Sequence, residues 1–311
     1  MLKKILFIFS ISIIISCGNN QTNQNVDTYE EDILGFWNRV GTIQLMNGIA
    51  VDTLAFKESK NPDNRQIKAF LTDRVMWVNN FWKDSLAPWK GGAGGYGKFN
   101  IYSRDSLTEL ISHGTGLMGA SIKEYKDEED QDFRAWNMSL NLGDKVFSQN
   151  GGPDAEYAEY WEKLPDLEPK SRIDGVWKRV YEIAYVNNVP VDTTSTPSDI
   201  ALDVKIMYKG RYMYQVDQTG MFDKDELGYG GFGGYGTFEL DSDKNILKEK
   251  LLWGTGGFDE ELFESSNGNY IQSHEITFFN DDLFLQVDNQ NAGVLQGSGA
   301  TGRGLVYKRI K

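Results

Sequence analysis

The sequence is poor in the residues that build most metal sites and covalent catalysts. Its 311 residues include one cysteine and two histidines. A single cysteine excludes an intrachain disulfide and a cysteine-based metal cluster, and the histidines are too few to complete a zinc site or a Cys–His nucleophile. The chain also lacks a Gly-x-Ser-x-Gly nucleophile elbow. We therefore expect no metal, no cofactor and no enzymatic activity.

Positive charge is scarce as well. The chain has 32 Lys and Arg against 45 Asp and Glu, and loss of residues 1–16 with Lys3 and Lys4 would take the net charge from −13 to −15. Such a surface repels the phosphates of nucleic acids and the headgroups of anionic lipids. Nucleic acid is therefore excluded as a partner, and any membrane attachment needs something other than a basic face.

Long hydrophobic runs are missing, with one short exception at the N-terminus. Ile5–Ile15 is an apolar run of 11 residues that follows Lys3 and Lys4. It is too short to cross about 30 Å of hydrocarbon as a helix. A positive start and a short apolar stretch are typical of a signal peptide, which we assign to residues 1–16.

The end of this run resembles the bacterial lipobox, in which a small residue precedes an invariant lipidated cysteine. Here Ser16 precedes Cys17, the one cysteine of the chain. The resemblance implies that Cys17 carries acyl chains, palmitate among them, and several chains anchor a protein stably where one does not. The alternative is an ordinary signal peptide followed by a chance cysteine. We expect a membrane-anchored lipoprotein of the cell envelope.

Residues 17–32 are polar and lack apolar periodicity, so we expect a flexible tether. The first acidic residue after Cys17 is Asp27. Surface-exported lipoproteins of the Bacteroidetes type usually carry an acidic cluster directly after the cysteine. Its absence here favours a protein that faces the periplasm.

An internal repeat is the strongest pattern in the rest of the chain. Gly35–Thr53 aligns without gaps on Gly175–Thr193 with nine of 19 positions identical, and Gly91–Phe99 aligns on Gly230–Phe238 with seven of nine identical. A repeat of about 140 residues has the length of a domain. We expect domains at 33–166 and 170–311, joined by a short linker that two prolines, Pro165 and Pro169, stiffen.

Each repeat has the sequence pattern of an all-β fold. Asn137–Leu142, Lys98–Ile101 and Leu283–Val287 alternate between apolar and polar residues, which indicates half-buried strands. Asn47-Gly48 and the equivalent Asn187-Asn188 predict tight hairpins. Many short strands joined by regular turns favour a sandwich or a barrel.

Each repeat also resembles the lipocalin-like domains of Bacteroidetes lipoproteins, most of which have no assigned function. The resemblance rests on an opening Gly-x-Trp at Trp37 and Trp177, an Arg-x-Met-aromatic strand, a glycine-rich run into Tyr-Gly-x-Phe, and a closing aromatic-x-Lys/Arg motif. It implies two tandem antiparallel β-barrels. It further implies that Lys163 covers Trp37 and that Arg309 covers Trp177 at the closed end of each barrel, as cation–π contacts.

Three glycine-rich segments match the dinucleotide pattern Gly-x-Gly-x-x-Gly, beginning at Gly92, Gly231 and Gly297. That pattern binds pyrophosphate only where a helix follows a strand, whereas these segments lead into alternating β sequence. We interpret them as turns and bulges at a barrel rim. Asp241–Asn245 has the start of a calcium loop without its glycine and glutamate, so we expect a β-turn there.

Polar or aromatic residues that recur at the same place in both repeats are candidates for ligand contacts inside the barrels. Packing and hydrogen bonding that merely fill a closed barrel are the alternative. These candidates are Arg74, Trp77, Tyr96, Gln149, Arg211, Tyr214, Tyr235 and Gln286.

We thus expect a non-enzymatic protein whose barrels bind a small apolar or amphipathic ligand. A second hypothesis is an interaction module that binds a glycan or another envelope protein through aromatic residues at the rim. Those aromatic residues are Phe81, Trp82, Trp89, Tyr229 and Phe232. A third hypothesis, a carboxylate-dependent hydrolase, requires a pair of carboxyl groups with shifted pKa values in a pocket.

Overall fold

β-strands and tight turns make up almost all of the structure, a computed structural model that describes residues 29–55, 66–79, 93–116, 133–151, 154–195, 202–217, 231–256, 270–288 and 302–311. Cys17, Phe81, Trp82, Trp89 and Tyr229 lie outside the described residues. One short helix, α1 (Tyr29–Asp32), precedes the strands.

The first repeat forms nine strands: β1 (Gly35–Met46), β2 (Ile49–Ala55), β3 (Gln66–Leu71), β4 (Arg74–Asn79), β5 (Ala93–Ser103), β6 (Ser106–Gly116), β7 (Arg134–Leu142), β8 (Val146–Asn150) and β9 (Tyr157–Lys163). The second repeat forms nine equivalent strands: β10 (Gly175–Val186), β11 (Val189–Ser195), β12 (Leu202–Tyr208), β13 (Arg211–Asp217), β14 (Phe232–Asp241), β15 (Ile246–Gly256), β16 (Ile271–Asn280), β17 (Leu283–Asp288) and β18 (Gly302–Ile310).

Each repeat closes into an antiparallel barrel. The first half of β1 pairs with β3 and its second half with β2, so β2 and β3 act as one interrupted strand. The other edge of β1 pairs with β9, and β10 pairs with β18 in the same way. The result is two eight-stranded barrels, which we call barrel 1 and barrel 2, in which neighbouring strands follow one another along the chain. The predicted all-β tandem barrels are confirmed.

The predicted turns are present. Asn47 and Gly48 have φ angles of 53° and 75°, and Asn187 and Asn188 have φ angles of 50° and 64°. Two successive left-handed residues form the turn whose twist suits a β-hairpin. Residues 242–245 form the turn between β14 and β15, where Asp241 accepts a hydrogen bond from the Lys244 amide at 3.1 Å, which confirms a turn there.

The described parts of two glycine-rich runs, Ala93–Gly97 and Phe232–Gly236, lie inside strands β5 and β14 and not in turns, which corrects the predicted turns. Register shifts at Tyr96/Gly97 and Tyr235/Gly236 agree with the predicted bulges. The third run, beginning at Gly297, lies outside the described residues up to residue 301. A Cβ at Gly95 would stand 2.6 Å from the Trp77 indole, and one at Gly234 would stand 2.6 Å from the Tyr214 ring. Glycine is needed here because an aromatic side chain of the neighbouring strand lies directly over the backbone. These runs shape the barrel wall, and no helix follows them within the described residues.

The helix α1 corrects the predicted extent of the tether. Tyr29 packs against the core of barrel 1, and Ile33, directly after the helix, is completely buried. The Ile33 carbonyl accepts a hydrogen bond from Trp37 Nε1 at 2.8 Å, and the Ile173 carbonyl accepts one from Trp177 Nε1 at 2.6 Å. The segment before each first strand therefore plugs one end of its barrel.

The two barrels share a buried apolar contact, which we call the seam. Strands β3 and β12 are buried on both faces, because one face lines its own barrel and the other packs on the neighbouring barrel. Ten of the seam's 14 members form five equivalent pairs between the repeats, much as in the interface of a two-fold symmetric dimer. Its members are Phe36, Ile67, Ala69, Leu71, Met76, Val78 and Tyr96 of barrel 1 and Val176, Leu202, Val204, Ile206, Met213, Tyr235 and Trp253 of barrel 2.

The linker between the barrels is held against barrel 2. The Leu167 and Glu168 amides both donate to the Lys209 carbonyl, at 3.0 and 3.2 Å, and Lys209 Nζ lies 2.7 Å from an Asp166 carboxylate oxygen. Seam and linker together join the repeats into one packed unit.

Candidate ligand-binding cavities

Each barrel contains a cavity towards the end opposite its plugged end. The cavity of barrel 1 has a volume of about 630 Å³ and that of barrel 2 about 370 Å³. Because side chains alternate along a strand, every second residue of each strand points into the barrel. The inward residues near the plug are apolar, and those further along are polar.

The floor of the barrel 1 cavity is a buried ion pair. Lys68 Nζ of β3 lies 2.6 Å from Glu109 Oε1 of β6, and both side chains are almost completely inaccessible to solvent. The Lys68 ammonium also lies 5.1 Å from the Trp161 ring centroid. A buried pair of this kind contributes little net stability, because desolvation offsets most of the attraction. It does keep the interior polar.

The same ion pair recurs in barrel 2 with additional partners. Lys205 Nζ lies 2.8 Å from both oxygens of Glu249 and 3.2 Å from Gln286 Oε1. His274 Nε2 lies 3.3 Å from Glu249 Oε2. Burial alone would raise the pKa of Glu249, but Lys205 and His274 outweigh it and lower that pKa to about 2.

An arginine on the first strand adds a second ion pair in each cavity. In barrel 1, Arg39 NH1 lies 3.0 Å from Glu159 of β9 and 2.9 Å from Gln66 Oε1. In barrel 2, Arg179 lies 3.0 Å from Asp203 of β12 and 3.3 Å from Glu182 of β10. The arginine is shared, but its acidic partner lies on β9 in barrel 1, whereas its acidic partners in barrel 2 lie on β12 and β10.

The titratable groups of barrel 2 are poorly suited to general base catalysis. Burial raises the pKa of Asp203 despite the opposing charge of Arg179. Burial likewise raises the pKa of Tyr212, Tyr214 and Tyr307. The two carboxyl groups with a shifted pKa that line the cavity, Asp203 and Glu249, are held in ion pairs, so neither is available as a free base.

Four of the eight predicted ligand contacts line the cavities. Trp77 and Gln149 line the cavity of barrel 1, and the equivalent Tyr214 and Gln286 line that of barrel 2. Phe232, predicted at the rim, lies beside them and packs edge-on against Tyr214 with ring centroids 6.1 Å apart.

The other four, Arg74, Tyr96, Arg211 and Tyr235, lie on the outer side of the barrels, which corrects their predicted position. Arg211 NH1 donates to the Tyr235 hydroxyl at 2.5 Å, and its Nε donates to the Pro165 carbonyl at 2.9 Å. Burial in the seam raises the pKa of Tyr96 to about 12, although Arg74 nearby opposes the shift. The physical reason is the strand period: Arg74 and Trp77 are three residues apart and therefore face opposite sides.

The cation–π contacts that the resemblance implied are present at both closed ends. Lys163 Nζ lies 5.2 Å from the Trp37 ring centroid, and the Arg309 guanidinium lies 4.1 Å from that of Trp177. Lys163 also donates to the Asp32 carbonyl at 2.7 Å. Arg309 donates to the carbonyls of Asp174, Arg172 and Asp281. These residues close the barrels and do not line the cavities.

The two histidines occupy different environments. His113 lies beside Tyr96 at the seam, with ring centroids 6.3 Å apart, whereas His274 lines the barrel 2 cavity.

Across the part of the chain that the structure describes, no three His, Cys, Asp or Glu residues are grouped to hold a metal ion. In the same residues, no helix has the length and apolar character needed to span a bilayer.

Sequence reasoning missed Arg39, Lys68, Glu109 and Glu159, which carry the polar floor. The signal was available in part, because Arg39, Lys68 and Glu109 recur in the second repeat as Arg179, Lys205 and Glu249. Charged residues in an alternating strand are usually assigned to the solvent side, and that assumption hid them.

Comparisons with protein-family models and with curated proteins give no match. Among solved structures, a lipocalin-like protein from Bacteroides uniformis is similar to this chain with a TM-score of 0.27 and 9% identity, over 43% of this chain and 99% of that chain. So weak a similarity carries no argument about family or function. The described residues themselves show two closed, eight-stranded antiparallel barrels with sequential strands, each plugged at one end.

Proposed function

We propose that this protein is a non-enzymatic, membrane-anchored lipoprotein of the cell envelope that binds a small amphipathic ligand in the cavity of barrel 1. The observation that carries the proposal is that cavity of about 630 Å³ inside a closed barrel. Ligand pockets for small molecules typically measure about 300–1,000 Å³ and combine apolar walls with a few placed polar groups.

The lining of barrel 1 supports an amphipathic ligand better than a purely apolar one. Trp77, Trp136 and Met138 supply apolar surface, whereas Gln149 and Glu159 are polar. An apolar ligand alone would strip water from these polar groups without replacing its hydrogen bonds, at a cost of about 1–3 kcal/mol for each group. A molecule with both kinds of surface avoids that cost.

The proposal of a binding role and not a catalytic one is supported by the ion pairs. Lys68 with Glu109, and Arg39 with Glu159, hold the charges at the floor of the cavity in ion pairs. A hydrolase of the predicted kind needs one carboxyl group free to carry a proton and another free to attack or to activate water. We therefore place the hydrolase hypothesis last.

Native mass spectrometry of the purified protein tests ligand binding, together with two variants of one cavity residue. Met138→Trp fills the cavity and should abolish the mass of a co-purified ligand. Met138→Leu nearly conserves the volume and should retain it. Recovery of the unliganded mass from wild-type protein, with no binder in a screen of lipids and metabolites, would refute the proposal.

The anchor at Cys17 and the periplasmic orientation are separate proposals that rest on the sequence. Growth with an alkyne-tagged palmitate should label the wild-type chain and leave Cys17→Ala unlabelled. Protease added to intact cells should spare the protein if it faces the periplasm. Labelling of the Cys17→Ala variant would disprove the anchor, and digestion in intact cells would disprove the orientation.

A further inference from the structure

The cavity of barrel 1 is distinguished by its amide side chains. Gln66, Asn79, Gln149 and Asn150 all line it, whereas barrel 2 offers Gln272 and Gln286. Part of this set is already used within the protein: Gln66 Oε1 accepts from Arg39, Asn79 Oδ1 accepts from the Ala93 amide, and Gln149 Nε2 donates to Glu159. Amide groups offer both donors and acceptors, as hydroxyl groups do.

The charged groups at the floor of this cavity are already paired. Lys68 is neutralised by Glu109, and Arg39 is held by Glu159, Gln66 and Thr42 at 2.9–3.1 Å. A ligand anion would therefore have to break an existing pair to gain a cation from the floor.

A cationic ligand would also gain little binding free energy from the charges of this cavity. Asp154 and Glu156 are exposed at the mouth, where solvent screens their charge. The Arg134 guanidinium already lies 5.0 Å from the Trp136 ring centroid. The inner lining therefore favours a neutral ligand.

One polar atom of the cavity wall lacks a partner. The amide nitrogen of Gln149 donates to Glu159 at 2.7 Å, which fixes the orientation of the amide. Its oxygen, Oε1, is buried and accepts no hydrogen bond. A buried acceptor without a donor costs about 1–3 kcal/mol, and a ligand hydroxyl at this wall would supply the missing donor.

Two indoles provide the apolar part of the same wall. The Trp77 ring packs against Gly95, and Trp136 of β7 also lines the cavity. Flat aromatic surfaces pack against the C–H faces of sugar rings, while the surrounding amides bind the hydroxyl groups.

From this juxtaposition of paired charges, four amides, one unsatisfied acceptor and two indoles, we infer that the barrel 1 cavity binds a neutral saccharide. The inference rests on the proposed function and names its ligand class. The sugar ring stacks on an indole, and one of its hydroxyl groups donates to Gln149 Oε1. Barrel 2, with its smaller and more ionic cavity, does not share this specificity.

Titration of the purified full-length protein, followed by tryptophan fluorescence and calorimetry, tests the inference. The probes are neutral sugars (glucose, galactose, N-acetylglucosamine and maltose), their anionic relative glucuronate, palmitate and dodecylamine. At least one neutral sugar should bind and should do so at least tenfold more tightly than glucuronate. Trp136→Ala and Gln149→Leu should each weaken that sugar about tenfold.

Gln286→Leu is the matched control, since it removes the equivalent amide of barrel 2 and should leave sugar affinity unchanged. Thermal melting of each variant verifies that it folds. Binding of palmitate or dodecylamine with no binding of any neutral sugar would overturn the saccharide inference and leave the proposed function intact. Sugar binding that is insensitive to both Trp136→Ala and Gln149→Leu would also overturn it. No binding of any probe, together with unliganded protein by mass spectrometry, would remove the proposed function itself.

Discussion

The two barrels are most alike where they are closed and where they touch, and they differ most around their cavities. Both have a tryptophan beneath a cation at the plugged end, both contribute equivalent residues to the seam, and both keep a Lys–Glu pair. Around that pair, barrel 1 has amides and indoles, whereas barrel 2 has Asp203, His274 and several tyrosines. The two repeats thus share the residues that close and join the barrels and differ in those that line the cavities.

Removal of one partner from the buried Lys–Glu pair should have the largest effect on stability. Glu109→Leu leaves Lys68 unpaired in the interior and should cost about 3–5 kcal/mol of unfolding free energy. The double variant Lys68→Met with Glu109→Leu removes both charges and should recover most of that loss. Urea denaturation monitored by fluorescence measures both effects.

The same experiment in barrel 2 sharpens the comparison. Lys205→Met with Glu249→Leu should recover less, because His274 then loses its contact with Glu249. Equal recovery in the two barrels would show that His274 does not depend on Glu249.

Truncation of a seam side chain should have the next largest effect on stability. The effect should be similar for equivalent residues of barrel 1 and barrel 2. Met76 and Met213 are equivalent and completely buried. Met76→Ala and Met213→Ala should each cost about 2–5 kcal/mol through lost burial and the cavity left behind. Differential scanning calorimetry should show one transition moved to lower temperature in both variants. Two separated transitions would mean that the barrels unfold independently and that the seam contributes little.

Acid should destabilise barrel 2 through Glu249. Its pKa in the folded protein is lowered from the ordinary 4.5 to about 2. The carboxylate therefore stabilises the fold fully above about pH 4.5, and that contribution is lost as the pH falls towards 2. Glu249→Gln should be less stable at neutral pH and should show a flatter loss of stability between pH 4.5 and 2. Glu275→Gln, on the exposed side of β16, is the control for removal of one negative charge. If the stability of Glu249→Gln falls as steeply between pH 4.5 and 2 as that of the wild type, the prediction is wrong.

The smallest effects on stability are expected for substitutions at the closed ends. The variant of barrel 2 should lose more unfolding free energy than the variant of barrel 1. Arg309 makes three hydrogen bonds to backbone carbonyls and a cation–π contact, whereas Lys163 makes one such hydrogen bond and a longer contact. Arg309→Ala should therefore cost about 2–3 kcal/mol and Lys163→Ala about 1 kcal/mol. Urea midpoints of the two variants test the order, and a larger loss for Lys163→Ala would reverse it.

Much of the fold followed from the sequence because repeats, hairpin turns and alternation are local patterns. The direction of individual side chains followed less well. In β3, the apolar Ile67 and Ala69 face outward and the charged Lys68 faces inward. That is the reverse of the usual pattern of an antiparallel sheet, and it arises because a second barrel covers the outer face.

The candidate site was therefore predicted only in part. Recurrence in both repeats correctly predicted that Trp77 and Gln149 line the cavity. It also selected Arg74 and Tyr96, which lie on the outer side, because residues of the seam recur in both repeats as well. The strand period could have separated Arg74 from Trp77. The seam could not have been found from one repeat alone, because its existence depends on how two barrels meet.

The position of α1 has a consequence for how the molecule is presented. The chain enters barrel 1 at its plugged end, where Asp32 contacts both Lys163 and Arg104. A tether attached there, as proposed for Cys17, would join barrel 1 at the end opposite its cavity. The tether would then leave the approach to the cavity unobstructed.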